Sequence, residues 1–475
     1  MLALWEKLTL THLPTARWLS DSLILGRLAG LLHPWRQGSW LMQWGNEIAV
    51  FLLGFVFCIA PFVANNMTAV ALGGTAVYWV LLSLTDSPKF TGRLTPVHLL
   101  ILLYWGISAL ATGLSPVKSA ALIGLGKFSL YLLFFALMER IVRSPRWRSW
   151  LITIYLLVAL VVSIYGIRQW FFGAEALATW TDPESPLSKT TRVYSYLGNP
   201  NLLAGYLLPA IPLSISGLFA WRGILPKLLA VIMAGCNTLC LLFTFSRGSW
   251  LGLVAAMFVY AMLLLYWLLP YLPAPWRKWV FPVCLGGLAL LLVAAVVVVP
   301  ALRERVLSIT RTQNDSSNNF RVQVWAAVRE MIRDRPILGI GPGNAAFNKV
   351  YPLYQRPGFT ALGAYSIFLE ILIEVGVVGF SLFIWLLMVL MQRGWRQVQR
   401  LREQESREIF WLIAAMATVV GMLVHGAVDT IWYRPEVATL WWFMVAIITS
   451  YGNGRSRPTQ ADYSDNSRLE LSPES

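Results

Sequence analysis

WLITIYLLVALVVSIYGIRQWFF, from Trp150 to Phe172, is apolar almost throughout and carries one charge, Arg168, toward its C-terminal side. At about 1.5 Å per residue, a helix of this length covers the roughly 30 Å hydrocarbon layer of a bilayer. Similar runs lie on both sides of it. Before it come Asn46 to Ala64, Met67 to Thr85, Val97 to Gly113 and Ser119 to Met138. After it come Asn201 to Trp221, Lys227 to Phe245, Trp250 to Leu269, Trp279 to Pro300, Ala364 to Met391, Phe410 to Val428 and Val437 to Tyr451. The expected fold is an all-α polytopic membrane protein of about twelve spans. Prolines 61, 209 and 212 fall inside spans, where neighbouring helices can satisfy the freed backbone groups.

Composition agrees. Hydrophobic residues make up 57% of the 475 and charged residues 13%, against roughly 25% charged in soluble domains. The net charge of +15 does not imply nucleic acid, because the basic residues form short clusters between apolar runs and not one continuous face. Cys58, Cys236, Cys240 and Cys284 all lie in apolar runs and read as buried thiols. Neither a disulfide framework nor a Cys-rich zinc site is expected, and no metal or cofactor.

Five regions follow. Residues 1–45 carry scattered charges and no compact apolar core of a signal peptide; Leu19, Leu23, Leu28, Leu31 and Trp35 suggest a cytoplasmic segment lying along the interface. Residues 46–300 hold nine spans, 301–363 form one long periplasmic loop, 364–451 hold three more spans, and 452–475 form a polar, disordered cytoplasmic tail. Lys and Arg accumulate in alternate loops, notably Arg140, Arg143, Arg146 and Arg148, and Arg393, Arg396, Arg400, Arg402 and Arg407. The positive-inside bias then places both termini in the cytoplasm of a cell with this protein in its inner membrane.

The long loop is basic. It carries Arg303, Arg305, Arg311, Arg321, Arg329, Arg333, Arg335, Lys349 and Arg356 against Glu304, Asp315, Glu330 and Asp334. From Asn318 to Arg335, Val324, Trp325, Val328, Met331 and Ile332 recur at helical spacing, which predicts an amphipathic helix over the bundle. It reads either as a cationic lid that gathers an anion or as an ordinary solvated helix. Arg192 and Arg247 stand at the outer ends of spans, where a charge is costly without a partner or a task. Planar guanidinium groups suit phosphate, carboxylate or bicarbonate oxygens; the alternative is snorkelling to the interface. Gly339-Ile-Gly-Pro-Gly-Asn344 lacks the Lys-Ser/Thr ending of a phosphate loop and reads as a turn. Glu370 and Glu374 share one helix face, and His425 and Asp429 have the same spacing; either pair could relay a proton or neutralise an arginine.

These motifs carry a resemblance. Thr191-Arg-Val-Tyr-Ser-Tyr-Leu-Gly-Asn-Pro-Asn201, Ser246-Arg-Gly, Asn319-Phe-Arg321 and Arg335-Pro-Ile-Leu-Gly-Ile-Gly-Pro-Gly-Asn344 resemble the O-antigen ligase and polymerase superfamily, as does Tyr365-Ser-Ile-Phe-Leu-Glu-Ile-Leu-Ile-Glu-Val-Gly376. The likeness runs from about Arg192 to Gly379. Almost the whole chain, with Leu82-Ser-Leu-Thr-Asp86 and Ala111-Thr-Gly-Leu-Ser-Pro-Val117, is similar to the cyanobacterial IctB-type family, to which bicarbonate transport has been ascribed.

The superfamily resemblance implies a periplasmic mouth that binds undecaprenyl-pyrophosphate-linked glycan, with Arg192 and Arg247 on the pyrophosphate. In the ligases a His opens the tenth span and is held to activate the acceptor. The matching dipeptide here is Tyr365-Ser366. An ordinary phenol, with a pKa near about 10, is a poor base at neutral pH.

The leading expectation is therefore inorganic-carbon accumulation, with bicarbonate handled by Arg192, Arg247, Arg321, Glu370 and Glu374. The alternative is a glycan ligase or polymerase in which Tyr365, or His425 with Asp429, activates the acceptor. A cysteine introduced beside Arg146 is expected to resist a membrane-impermeant thiol reagent in intact cells, while one beside Asn318 reacts. The reverse labelling pattern would refute the assigned orientation.

Overall fold

The computed structural model describes residues 8–10, 32–85, 94–175, 192–298 and 316–451, and among these no β-strand occurs. Most of the N-terminal segment, the loop arginines 303, 305 and 311, and the C-terminal tail lie outside the described residues. After two short helical turns, His33–Gly38 and Trp40–Gln43, the chain forms α1 (Gly45–Ile59), α2 (Asn65–Thr85), α3 (Pro96–Gly113), α4 (Lys118–Val142) and α5 (Pro145–Phe172). Then follow α6 (Pro200–Leu207), α7 (Ala210–Ala220), α8 (Ile224–Phe243), α9 (Arg247–Leu268) and α10 (Ala274–Val298). The long loop contains α11 (Ser316–Asp334) and α12 (Asn344–Val350), and the chain closes with α13 (Ile367–Glu403), α14 (Ile409–Gly426) and α15 (Pro435–Ser450).

Among the described residues, nine helical stretches are long and apolar enough to cross a bilayer, and α1 and α15 are shorter apolar helices. The protein is an all-α polytopic membrane protein. Local chemistry sets several starts. Pro occupies the first turn of α3, α5, α6 and α15, where a missing N–H costs nothing. The Asn199 side chain caps α6 by accepting from the amides of Asn201 and Leu202.

Two expected spans are not single helices. The run from Asn201 to Trp221 breaks into α6 and α7 at Pro209, which has no N–H to donate, and the Tyr155 hydroxyl donates to the Tyr206 carbonyl beside the break at 2.7 Å. The run from Ala364 to Met391 continues to Glu403 and is interrupted at Gly376, whose φ of 65° and ψ of −170° are not helical. That break is mended from the long loop. The amides of Ile340 and Gly341 donate to the carbonyls of Ile373 (2.8 Å) and Glu374 (2.9 Å), and the amide of Val377 donates to the Pro336 carbonyl at 2.8 Å. The Gly339–Asn344 turn is thus a backbone plug in a split helix. A side chain on Gly376 would collide with the Ile337 carbonyl.

α14 and α15 sit at the centre; almost every residue of α14 and every residue of α15 is buried. α9 lies along α14 with the backbones nearly touching, since a Cβ on Gly252 would come within 2.6 Å of the Gly421 carbonyl. Small residues permit such approach in lipid. A second core lies over the bundle, where α11 buries Val324, Ala327, Val328 and Met331 against Phe347, Tyr351 and Ile373. The expected loop helix is present, with Trp325 donating from Nε1 to the Ala364 carbonyl at 2.9 Å. The cysteines are not uniformly buried: Cys240 is, Cys236 is intermediate, and Cys58 is exposed on the outer surface of α1, which an isolated chain leaves without lipid.

Gly124 on α4 is where the plug presses on the bundle, and a Cβ there would land on the Pro342 carbonyl, while Gly126 has nothing within 4 Å. Gly124→Ala is therefore expected to destabilise the purified protein by about 1–3 kcal/mol through forced backbone displacement. Gly126→Ala should leave the thermal midpoint in detergent unchanged, and equal behaviour of the two variants would refute the contact.

Candidate functional site

The outer ends of α6, α9, α13 and α14 gather the residues that the sequence marks. The segment before α6 is fastened first. The Gln169 side chain of α5 accepts from the amides of Tyr194 (3.1 Å) and Ser195 (2.7 Å), the Ser195 hydroxyl donates to the Val162 carbonyl at 2.7 Å, and the Val193 amide donates to the Phe243 carbonyl at 3.2 Å. This docks Arg192 on the turn between α8 and α9. Its Nε donates to the Thr244 carbonyl at 3.0 Å and its Nη2 to Oδ1 of Asn201 at 3.2 Å. Arg247 begins α9 three residues after Thr244, so the turn that Arg192 docks on is the one that carries Arg247.

Asp429 lies in the connection from α14 to α15, and its Oδ1 accepts from the Thr430 amide at 2.8 Å. Burial pushes its carboxyl above the usual range; the guanidinium of Arg321, the Thr430 amide, Arg192 and the Asn201 side chain all oppose this by favouring the ionised form. One carboxylate thus lies within electrostatic reach of Arg321 on the loop helix and of Arg192 in the segment ahead of α6. Arg321 also acts electrostatically on Tyr365 and His425.

Tyr365 stands just before α13 with its ring edge-on to Phe320, centroids 5.5 Å apart. Its phenol is pushed up to about 12, chiefly by burial, with Asp429 and Tyr433 adding to the shift and Arg321 opposing it. That moves it further from use as a base at neutral pH. Its backbone is in the left-handed region (φ 49°), as are Ser195 and Phe245 (both 51°) at the same end of the bundle. Non-glycine residues hold this conformation at a cost, and such residues cluster where surrounding structure fixes a site.

Glu370 and Glu374 have internal partners. Oε2 of Glu370 accepts from the Ala364 amide at 2.6 Å and from the Thr430 hydroxyl at 3.4 Å, so it ties together the two segments that carry Tyr365 and Asp429. Oε1 of Glu374 accepts from the Gly343 amide at 2.6 Å and steadies the plug. Both expected ligand carboxylates therefore position backbone.

His425 is fully buried, and among the described residues neither ring nitrogen has a hydrogen-bond partner. Gly205, Gly248 and Gly252 make room for it. A Cβ on Gly248 would stand 3.0 Å from the ring's Cδ2, and one on Gly205 would stand 3.5 Å from its Cε1. The sequence reading missed these glycines and Asn201. The signal for the glycines was Gly248-Ser-Trp-Leu-Gly252, a small-residue spacing that brings helices close.

A model of the O-antigen ligase family matches residues 228–384. The match takes in Arg247, Arg321, Tyr365, Glu370 and Glu374, and it ends before His425 and Asp429. It supports the superfamily expected from the motifs between about Arg192 and Gly379. No curated protein matches the chain.

Replacing Arg192 or Arg321 by Lys keeps the charge and removes the planar fork. For the lipid-linked pyrophosphate that the resemblance implies, each change is expected to weaken binding by roughly tenfold or more, the scale of one charge-assisted hydrogen bond. Titration calorimetry on the detergent-purified variants measures it, and unchanged affinity in the Arg192 variant would leave snorkelling as the explanation of that arginine.

Proposed function

We propose that this protein is a membrane glycan transferase, which moves a sugar chain from a lipid-linked pyrophosphate donor to an acceptor hydroxyl at the face of Arg192, Arg247, Arg321 and Asp429. The observation that carries this reading is the buried Asp429 carboxylate held within electrostatic reach of Arg321 and Arg192. Glycosyl transfer needs both signs of charge at one place. The acceptor oxygen attacks the anomeric carbon as the bond from that carbon to the pyrophosphate oxygen breaks. The acceptor proton goes to Asp429, and the electron pair leaves with the pyrophosphate, whose growing charge the guanidinium groups stabilise. Tyr365, still protonated, can donate or accept a hydrogen bond but does not serve as the base. His425, four residues before Asp429, is fully buried, and among the described residues its ring nitrogens have no hydrogen-bond partner.

The family match supports this reading over bicarbonate transport. Transport would need polar groups through the bundle, and the four charges that the sequence reading puts within spans are placed otherwise. Lys127 is exposed on the outer surface of α4, and Arg168 is exposed at the end of α5 near the rings of Tyr165 and Phe172, at 5.8 and 5.9 Å. Glu370 and Glu374 accept from backbone amides. The basic clusters at the opposite helix ends, Arg140 to Arg148 and Arg393 to Arg407, favour an extracytoplasmic site in the inner membrane.

The test is transfer of undecaprenyl-pyrophosphate-linked glycan to an acceptor by purified protein, run beside bicarbonate flux in liposomes. Transfer without flux is expected. Asp429→Asn should lower the rate by about 10²–10⁴, the usual contribution of a general base, and Tyr365→Phe should cost only about 0.5–1.5 kcal/mol. A base works deprotonated, so activity is lost as pH falls through its pKa. Because burial raises that of Asp429, the acid limb should begin above the ordinary carboxylate range. Flux without transfer would restore the bicarbonate reading.

A further inference from the structure

The helices that begin at the candidate site end at a second feature on the opposite face. Where α9 gives way to α10, beside the far end of α13, a hollow of about 520 Å³ is lined by Leu269, Pro270, Arg277, Lys278 and Arg402. Three of its five lining residues are cations and none is acidic. Each cation is oriented by neutral groups. Arg277 donates from Nε to the Leu272 carbonyl at 3.0 Å and from Nη2 to the Pro270 carbonyl at 3.1 Å. The Arg402 guanidinium lies 4.1 Å from the Tyr266 ring centroid, and the Lys278 ammonium 5.8 Å from that of Trp279. Among the described residues none of the three is in an ion pair. Like charges held together without a counter-ion repel, and a bound anion relieves that repulsion.

The surroundings favour a lipid over a free ion. Tyr271, Trp276 and Trp279 are each more than half exposed around the hollow, and such aromatic residues mark the headgroup level of a bilayer. Leu285, exposed and about two helical turns beyond Arg277 and Lys278 on α10, continues the same face into the apolar layer. A phosphate seated between the cations would therefore have its acyl chains directed along an apolar helix surface.

We propose that this hollow binds the phosphate headgroup of an anionic phospholipid. The site is independent of glycan transfer and lies at the other end of α9 and α13. The test uses purified full-length protein in a neutral detergent, with dioleoyl phosphatidylglycerol, dioleoyl phosphatidylcholine or inorganic phosphate added at equal concentration. Bound lipid is read by native mass spectrometry and stability by thermal midpoint. Phosphatidylglycerol should be retained and raise the midpoint, while phosphatidylcholine and inorganic phosphate should not. The triple variant Arg277→Gln, Lys278→Gln, Arg402→Gln should lose at least tenfold in retention. A control triple, Arg146→Gln, Arg222→Gln, Arg407→Gln, removes the same charge from exposed positions and should keep it. If the first triple variant does not purify, the exposed single change Lys278→Gln carries the comparison, with a smaller loss expected. Equal loss in the control triple, or unchanged retention in the hollow variants, overturns the proposal. Equal stabilisation by inorganic phosphate overturns the lipid assignment.

Discussion

Hydrocarbon offers no hydrogen bonds, so a backbone group left open within the bilayer costs several kilocalories per mole. At Gly376 α13 opens its own ladder, and the loop segment from Pro336 to Gly341 closes it with amides of Ile340 and Gly341 and carbonyls of Pro336 and Ile337. This exchange fixes the register between the long loop and the bundle. Arg321 is carried on the loop helix, and Glu370 on the first turn of α13, so the plug determines where the cation stands relative to the membrane-embedded part of the site. The glycines at 124, 339, 343 and 376 are required because carbonyls and neighbouring backbone occupy the space that side chains would fill.

The site is assembled from segments far apart in sequence. Gln169 holds the Arg192 segment, Asn199 and Pro200 start the helix that presents Asn201, and Glu370 holds both the Ala364 amide and the Thr430 hydroxyl. Each polar group binds backbone, and the result is a rigid frame around Asp429. The buried carboxylate stays within electrostatic reach of two guanidinium groups, and the proposed transfer rests on this juxtaposition. The strained backbone at Ser195, Phe245 and Tyr365 is held by the same frame.

The opposite face is closed by different chemistry. Arg148, buried on α5, donates to the Val142 carbonyl at 2.9 Å, pairs with Glu408, and lies 3.9 Å from the ring centroid of Tyr451, whose hydroxyl donates to the Glu408 carbonyl at 2.9 Å. This joins the ends of α4, α5, α14 and α15. α9 and α14, in contact through Gly252 and Gly421, link that face to the candidate site. Rearrangement at one end must then repack a tightly apposed helix pair, because close-packed interiors deform little.

The spans, the loop helix and the two marked arginines were legible in the sequence because each depends on local quantities. Apolar length decides whether a helix spans, the recurrence of Val324, Val328 and Met331 decides which face of α11 is buried, and the cost of a charge at a span end singles out Arg192 and Arg247. The resemblance read from Arg192 to Gly379 was local as well. What the sequence could not determine was which backbone meets which. The plug at Gly376, the split at Pro209, the glycine-lined space around His425 and the turn of Glu370 and Glu374 toward backbone amides all depend on neighbours distant in sequence. Tertiary structure alone decided that Asp429 would be coupled to Arg321 and Arg192, because electrostatic coupling depends on distance and burial in space, and periodicity along one helix carries neither.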